Sequence, residues 1–106
     1  MDFRNNNTNK KLISGLALAY ANSKKVLAER SNYNTVLGRA KIKDSESIVN
    51  KIEYVTKEKL SEDDYYIIYN EVILGKKGPW YEGISNSTYY RHKINAYSNF
   101  LSCLAK

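Results

Sequence analysis

Four hydrogen-bonding side chains near the end of the chain have types and spacing suited to nucleic-acid recognition. They are Thr88, Arg91, His92 and Asn95. At 100° per residue they collect on one side of a helix. Arginine can form paired hydrogen bonds with guanine and asparagine with adenine, and such contacts come from the first turns of a recognition helix. The pattern therefore predicts base contacts. An ordinary solvated helix face is the alternative, and the sequence leaves both open.

Residues around these four are suited to the DNA backbone. Ser85 and Ser87, together with the free N–H groups of a helix's first turn, can hold phosphates. Lys76, Lys77 and Lys93 can neutralise them. We therefore expect the partner to be double-stranded DNA.

Other chemistry has little support in the sequence. His92 and Cys103 are the only histidine and cysteine, too few for a usual zinc site. His92 has no evident nucleophile or carboxylate partner in sequence, and "GKKG" lacks the spacing of a phosphate-binding loop. We expect no metal, no cofactor and no enzymatic activity.

Length and charge limit the class of protein. The 106 residues suffice for one modest domain, and the formal net charge is +6. A single cysteine excludes an internal disulfide and fits a reducing cytoplasm.

The segment "LISGLALAYA" resembles the apolar part of a signal peptide, but its helical stripe continues past the supposed cleavage point. No run reaches the roughly 20 apolar residues of a membrane span, so we expect a cytoplasmic protein without a membrane partner.

Hydrophobic periodicity predicts an all-α bundle of about four main helices. Residues 1–8 are expected to be a disordered start, followed by a first helix over about 10–29, capped by Thr8 or Asn9. Asp44 or Ser45 should cap the second helix, after a break at "RSNYNTVLGRAKIKD". The third should run from Ser61 to a stop at Gly75. The last should run from 86 to 104 after Ser85.

The predicted core joins the last two helices. On a helix, Ile94, Tyr97, Leu101 and Leu104 all fall within about 40° of Tyr90. This seam should be buried against the third helix, which is apolar nearly all round. The expected contiguous cluster is Tyr65, Ile68, Tyr69, Val72, Trp80, Tyr90, Ile94, Tyr97 and Leu101.

The segment from 60 to 104 resembles a known DNA-binding unit. "LSEDDYYIIY", a glycine-bearing turn and "ISNSTYYRHKINAYSNFL" look like region 4 of sigma factors, and still more like phage late-transcription regulators of the ArpU type. The resemblance implies a helix-turn-helix in which Ser87, Thr88, Arg91 and His92 face DNA. Only "PWYEG" stands where these families have a first helix of about eight residues, so that helix is shortened here.

Two functions follow as hypotheses. The first is a sequence-specific DNA-binding transcription regulator, in which residues 9–60 support a helix-turn-helix-like unit at 61–106. RNA polymerase or a second copy of the chain would be its further partners. The second is a helical interaction or oligomerisation module without a nucleic-acid role. A single exposed surface that holds Arg91, Lys93, Lys76 and Lys77, with Thr88 and Asn95 beside them, favours the first. An internal ion pair of Arg91 with the Asp63–Asp64 region favours the second.

Overall fold

Four helices make up the described part of the chain, as the sequence predicted. The computed structural model describes residues 6–76, 78 and 85–106. Helix α1 spans Asn6–Ala28, α2 Val36–Glu58, α3 Glu62–Ile68 and α4 Asn86–Leu104. A 3-10 turn at Arg30–Asn32 precedes α2, and a π-helical segment at Tyr69–Ile73 continues α3. Within these described ranges there is no β-strand, and the all-α prediction is confirmed.

Helix α1 begins earlier than its sequence pattern suggested. Asn6, Asn7 and Thr8 are already helical, so the predicted disorder is wrong for them. Residues 1–5 lie outside the described part of the chain. Asn9 is 2% exposed and lies on the inner face with Ile13 and Tyr20. It therefore belongs to the packed stripe and does not cap the helix.

Helix α2 also begins earlier, at Val36 instead of after Asp44 or Ser45. Thr35 is its cap, with the Oγ1 atom accepting from the backbone N–H of Gly38 at 2.9 Å. A Cβ atom at Gly38 would lie 2.5 Å from the carbonyl oxygen of Tyr33. The glycine therefore does not break the helix, because its missing side chain lets the preceding connection pack against the first turn. Ser45 is buried inside the helix.

Helix α3 begins and ends where the sequence predicted, but its last turn is wider. The Ser61 side chain accepts from the N–H of Asp64 at 3.3 Å, which confirms the predicted cap. Beyond Ile68 the turn widens, and Leu74 N–H donates to the Tyr69 carbonyl at 2.9 Å. Gly75 has a φ of +67°, a conformation that glycine adopts without strain, and it ends the helix as predicted.

The buried face of α4 differs from the predicted seam. Tyr97 and Leu101 are buried as expected, but Tyr90 is 52% and Ile94 38% exposed. The helix instead buries Tyr89, Ala96 and Phe100, a rotation of about one residue. The small Ala96 side chain, 0% exposed, allows a close approach to the neighbouring helices.

One contiguous core draws on all four helices. Its members are Ile13, Tyr20, Val49, Ile52, Val55, Ile67, Ile68, Val72, Ala96, Tyr97, Phe100 and Leu101. From the predicted cluster it retains Ile68, Val72, Tyr97 and Leu101. Tyr65 and Tyr69 are half-buried, and Trp80 lies outside the described residues.

Replacing Phe100 with alanine tests this packing. The ring is 0% exposed, so Phe100→Ala should cost about 3 to 5 kcal/mol of unfolding free energy. Ile94→Ala is the matched control on the same helix and should cost markedly less, because its side chain keeps contact with water. Urea unfolding of both variants measures the difference. Equal losses would contradict the observed rotation of α4.

Candidate functional site

The first turn of α4 is closed by the side chain predicted to cap it. Ser85 Oγ accepts from the N–H of Thr88 at 3.2 Å and lies 3.0 Å from the Thr88 hydroxyl oxygen. A serine at this position satisfies one of the free N–H groups at the helix start. The cap fixes the point from which the following side chains project.

The four side chains predicted to contact bases lie together on one surface. Thr88, Arg91, His92 and Asn95 line a single open depression on α4. Arg91, His92 and Asn95 are exposed, and Thr88 is half-buried. The Arg91 Nη2 atom donates to Thr88 Oγ1 at 3.5 Å, a long contact that leaves the guanidinium at the surface. Lys106, at the end of the chain, is also exposed.

The residues predicted to contact phosphate divide into three groups. Ser85 and Ser87 are exposed at the start of α4, and Lys76 is exposed directly after Gly75. Lys77 lies outside the described residues. Lys93 is placed differently from the prediction, as its contacts show.

Lys93 points towards the interior of the bundle. Its Nζ atom lies 3.3 Å from Glu71 Oε1, and the two side chains are 18% and 9% exposed. The same Nζ atom lies over the rings of Tyr89 and Tyr97, at 5.8 and 5.6 Å from their centroids. The structure thus pairs the charge of Lys93 internally, and we no longer assign this residue to phosphate. The rotation of α4 by one residue places Lys93 at the margin of the core instead of at the surface.

Glu71 is the centre of a network that the sequence pattern did not predict. The Tyr97 hydroxyl donates to Glu71 Oε1, and the Tyr89 hydroxyl donates to Oε2 at 3.3 Å. Glu71 lies in the π-helical segment, and its three partners come from successive turns of α4. The four-residue spacing of Tyr89, Lys93 and Tyr97 was the sequence signal from which this network could have been found. Residues at this spacing lie on one side of a helix, and these three side chains all end in a polar group.

A glycine completes the packing around this network. A Cβ atom at Gly78 would lie 1.8 Å from the Tyr89 hydroxyl oxygen. Any larger residue would therefore push that hydroxyl away from Glu71. Gly78 matters here for its small size, and not for an unusual backbone conformation.

Burial alters the acidity of two tyrosines. Removal from water, followed by the hydrogen bond to the Glu71 carboxylate, raises the pKa of Tyr97 well above its ordinary value. Burial, and then the 2.7 Å hydrogen bond to Glu53, raises the pKa of Tyr20 to about 12. Both hydroxyls therefore remain hydrogen-bond donors at neutral pH.

Two other kinds of site are missing from the described ranges 6–76, 78 and 85–106. No group of three His, Cys, Asp or Glu side chains there is arranged to hold a metal ion. No helix in these ranges combines the length and apolarity needed to cross a membrane.

Alkaline pH should weaken the fold through Tyr97. The unfolded chain releases this proton near about pH 10 while the folded chain retains it, so unfolding free energy should fall as the pH rises above about 10. Tyr97→Phe removes this titration, and its stability should fall less between about pH 8 and pH 11 than that of the wild type. Urea unfolding at these pH values is the measurement. Tyr90→Phe, at an exposed position, is the control and should follow the wild type. The same pH dependence in both variants would rule out the role assigned to Tyr97.

Comparison with known proteins gives no match. No family model, no curated protein and no solved structure is found to be similar to this chain.

Proposed function

We propose that this protein binds double-stranded DNA through the exposed polar face of α4. One observation carries the proposal: Thr88, Arg91, His92 and Asn95 share one open depression in the first turns of a capped helix. The opposite side of α4 is committed to the core. The four side chains can therefore meet a partner without any change in packing.

The chemistry of this face suits base edges in the major groove. Arg91 offers two parallel donors for guanine O6 and N7, and Asn95 offers a donor and an acceptor for adenine. Thr88, one turn before Arg91, and His92, directly after it, have shorter side chains that can also form hydrogen bonds. Ser85 and Ser87 at the helix start, together with Lys76, are assigned to phosphates; Lys93 is not.

The class of function comes from the resemblance of residues 60–104 to sigma region 4 and ArpU-type regulators. On that basis the protein is a cytoplasmic, sequence-specific transcription regulator and not an enzyme. RNA polymerase or a second copy of this chain would be its further partners. Major-groove reading by the 86–104 helix is the part of this proposal that can be tested on the isolated protein.

A helical interaction module is the second candidate, and a specific observation favours it. Tyr90 and Ile94 are exposed on α4 and line a cavity of about 160 Å³ together with Asn6, Asn9 and Lys10 of α1. Exposed aromatic and aliphatic groups around a concavity are typical of protein contacts. This surface is adjacent to the polar face and would serve a protein partner without DNA.

Arg91→Ala is the test of base reading. A preferred duplex is first selected from a randomised pool, and affinities for it and for a scrambled duplex are measured by fluorescence anisotropy. Loss of Arg91 should cost about 1 to 3 kcal/mol on the preferred duplex and flatten preference at one base position. It should weaken binding to the scrambled duplex much less. The fold should persist, because the side chain is exposed.

Lys106→Ala is the matched control, since it removes one positive charge from the exposed end of the chain, directly after the same helix. It should leave the preference unchanged. If the wild-type protein selects no sequence from the pool, base reading by α4 is wrong. If it shows no salt-dependent DNA binding even at about 50 mM salt, the proposal of DNA binding is wrong and the helical interaction module replaces it.

A further inference from the structure

The half of the chain that contains α4 carries no net positive charge. Residues 61–106 contain five Lys or Arg and five Asp or Glu, whereas residues 1–60 contain twelve and six. The whole formal net charge of +6 therefore comes from the first 60 residues. A polyanion is attracted by accumulated charge. The half of the chain that contains α4 therefore provides little electrostatic attraction for it.

Much of this charge is concentrated where α1 leads into α2. Residues 22–45, called the hairpin tip below, carry six basic and two acidic side chains. The six basic residues, all exposed, are Lys24, Lys25, Arg30, Arg39, Lys41 and Lys43. The structure describes every residue of this segment.

The hairpin tip extends beyond the hydrophobic core. Helices α1 and α2 are antiparallel, as the Tyr20–Glu53 hydrogen bond and the Arg30–Glu46 ion pair at 3.4 Å show. The contiguous core, with the side chains packed on it, draws on no residue between Leu27 and Val49. In the first turn of α2, Gly38 lies against the Tyr33 backbone of the preceding connection. The molecule is 50 Å long and only 30 by 24 Å across.

Two of these six cations have internal partners. Arg30 pairs with Glu46, and Lys41 lies over the Tyr33 ring at 5.5 Å. By contrast, the described residues provide no carboxylate within ion-pair distance of Arg39 or Lys43. These two are four residues apart on α2 and lie on the same side of the helix, where like charges repel. A polyanionic partner would relieve that repulsion.

We propose that the hairpin tip is a second DNA-binding surface, which contacts the phosphate backbone through Arg39 and Lys43. The proposal rests on the DNA-binding function proposed above and assigns the sequence-independent part of the affinity to this end. The two surfaces are far apart: Tyr90 and Ile94 of α4 meet α1 at its first turns, and the tip follows the other end of α1. In this arrangement α4 selects a sequence, and the tip adds affinity for any duplex.

An anionic membrane is the competing partner for the same surface. Val36 and Leu37, at the start of α2, are 80% and 83% exposed, and an aliphatic pair beside cations can enter a lipid surface. DNA is favoured, because the basic residues extend from Lys24 to Lys43 and are not confined to the turn that carries the aliphatic pair. The hydrogen-bonding face of α4 also suits DNA and has no role at a bilayer.

Two double variants with equal charge provide the test. Arg39→Gln with Lys43→Gln removes the tip cations, and Lys51→Gln with Lys57→Gln removes two exposed cations farther along α2. Affinities are measured by anisotropy across a salt series, on the selected duplex and on a scrambled duplex of the same length. The tip variant should weaken binding to both duplexes alike. Its log–log salt slope should fall by about 1.8, or about 0.9 for each phosphate that is no longer neutralised.

The outcomes separate this proposal from the one for α4. If both double variants behave alike, the tip surface is wrong, while Arg91→Ala can still abolish sequence preference. If the wild type binds DNA without sequence preference and the tip variant still lowers the salt slope, base recognition by α4 is wrong and the tip surface is supported. If the wild type binds no DNA but sediments with phosphatidylserine vesicles, and Val36→Ser with Leu37→Ser prevents this, the DNA surface is overturned in favour of a membrane surface.

Discussion

The arrangement of α4 depends on one carboxylate that is largely removed from water. Glu71 is 9% exposed, and a charge removed from water in this way is costly unless it is paired and hydrogen-bonded. Its requirements are met by the Lys93 ammonium and by the hydroxyls of Tyr89 and Tyr97. These groups recur every four residues, so only one rotation of α4 brings all three to Glu71. That rotation decides which side chains of the helix reach the solvent.

Widening of α3 into a π-helical segment accompanies this contact. The segment Tyr69–Ile73 carries Glu71 on one side and the buried Val72 next to it. An extra residue in the turn shifts the side chains that follow it relative to a regular helix. Gly75 and Gly78 then allow the chain to leave without a clash, the first by its positive φ and the second by its small size. The polar network, the π segment and the two glycines thus act as one unit.

The same rotation separates two surfaces with different chemistry. On α4 the hydrogen-bonding groups around Arg91 are exposed, and the exposed Tyr90 and Ile94 form a neighbouring apolar surface. The basic charge lies elsewhere, along the helical hairpin that ends beyond the core. In the proposed function, hydrogen-bond geometry at one end supplies selectivity and accumulated charge at the other supplies affinity. Such a division is physically reasonable, because base contacts need fixed geometry whereas phosphate attraction needs only charge.

Local chemistry in the sequence determined the all-α class, the caps at Ser61 and Ser85 and the stop at Gly75. The caps and the stop depend on a side chain or a backbone conformation within a few residues of their own position, and the all-α class follows from apolar periodicity along each helix. Apolar spacing also placed the 86–104 helix correctly, but it favoured a seam through Tyr90 and Ile94, which lies about one residue away from the face that is buried. Only the tertiary structure decided this rotation, because Glu71 is far from Lys93 in sequence. The break predicted around Gly38 was also overturned by packing, since this glycine lies in the first turn of α2, where a Cβ atom would meet the Tyr33 backbone.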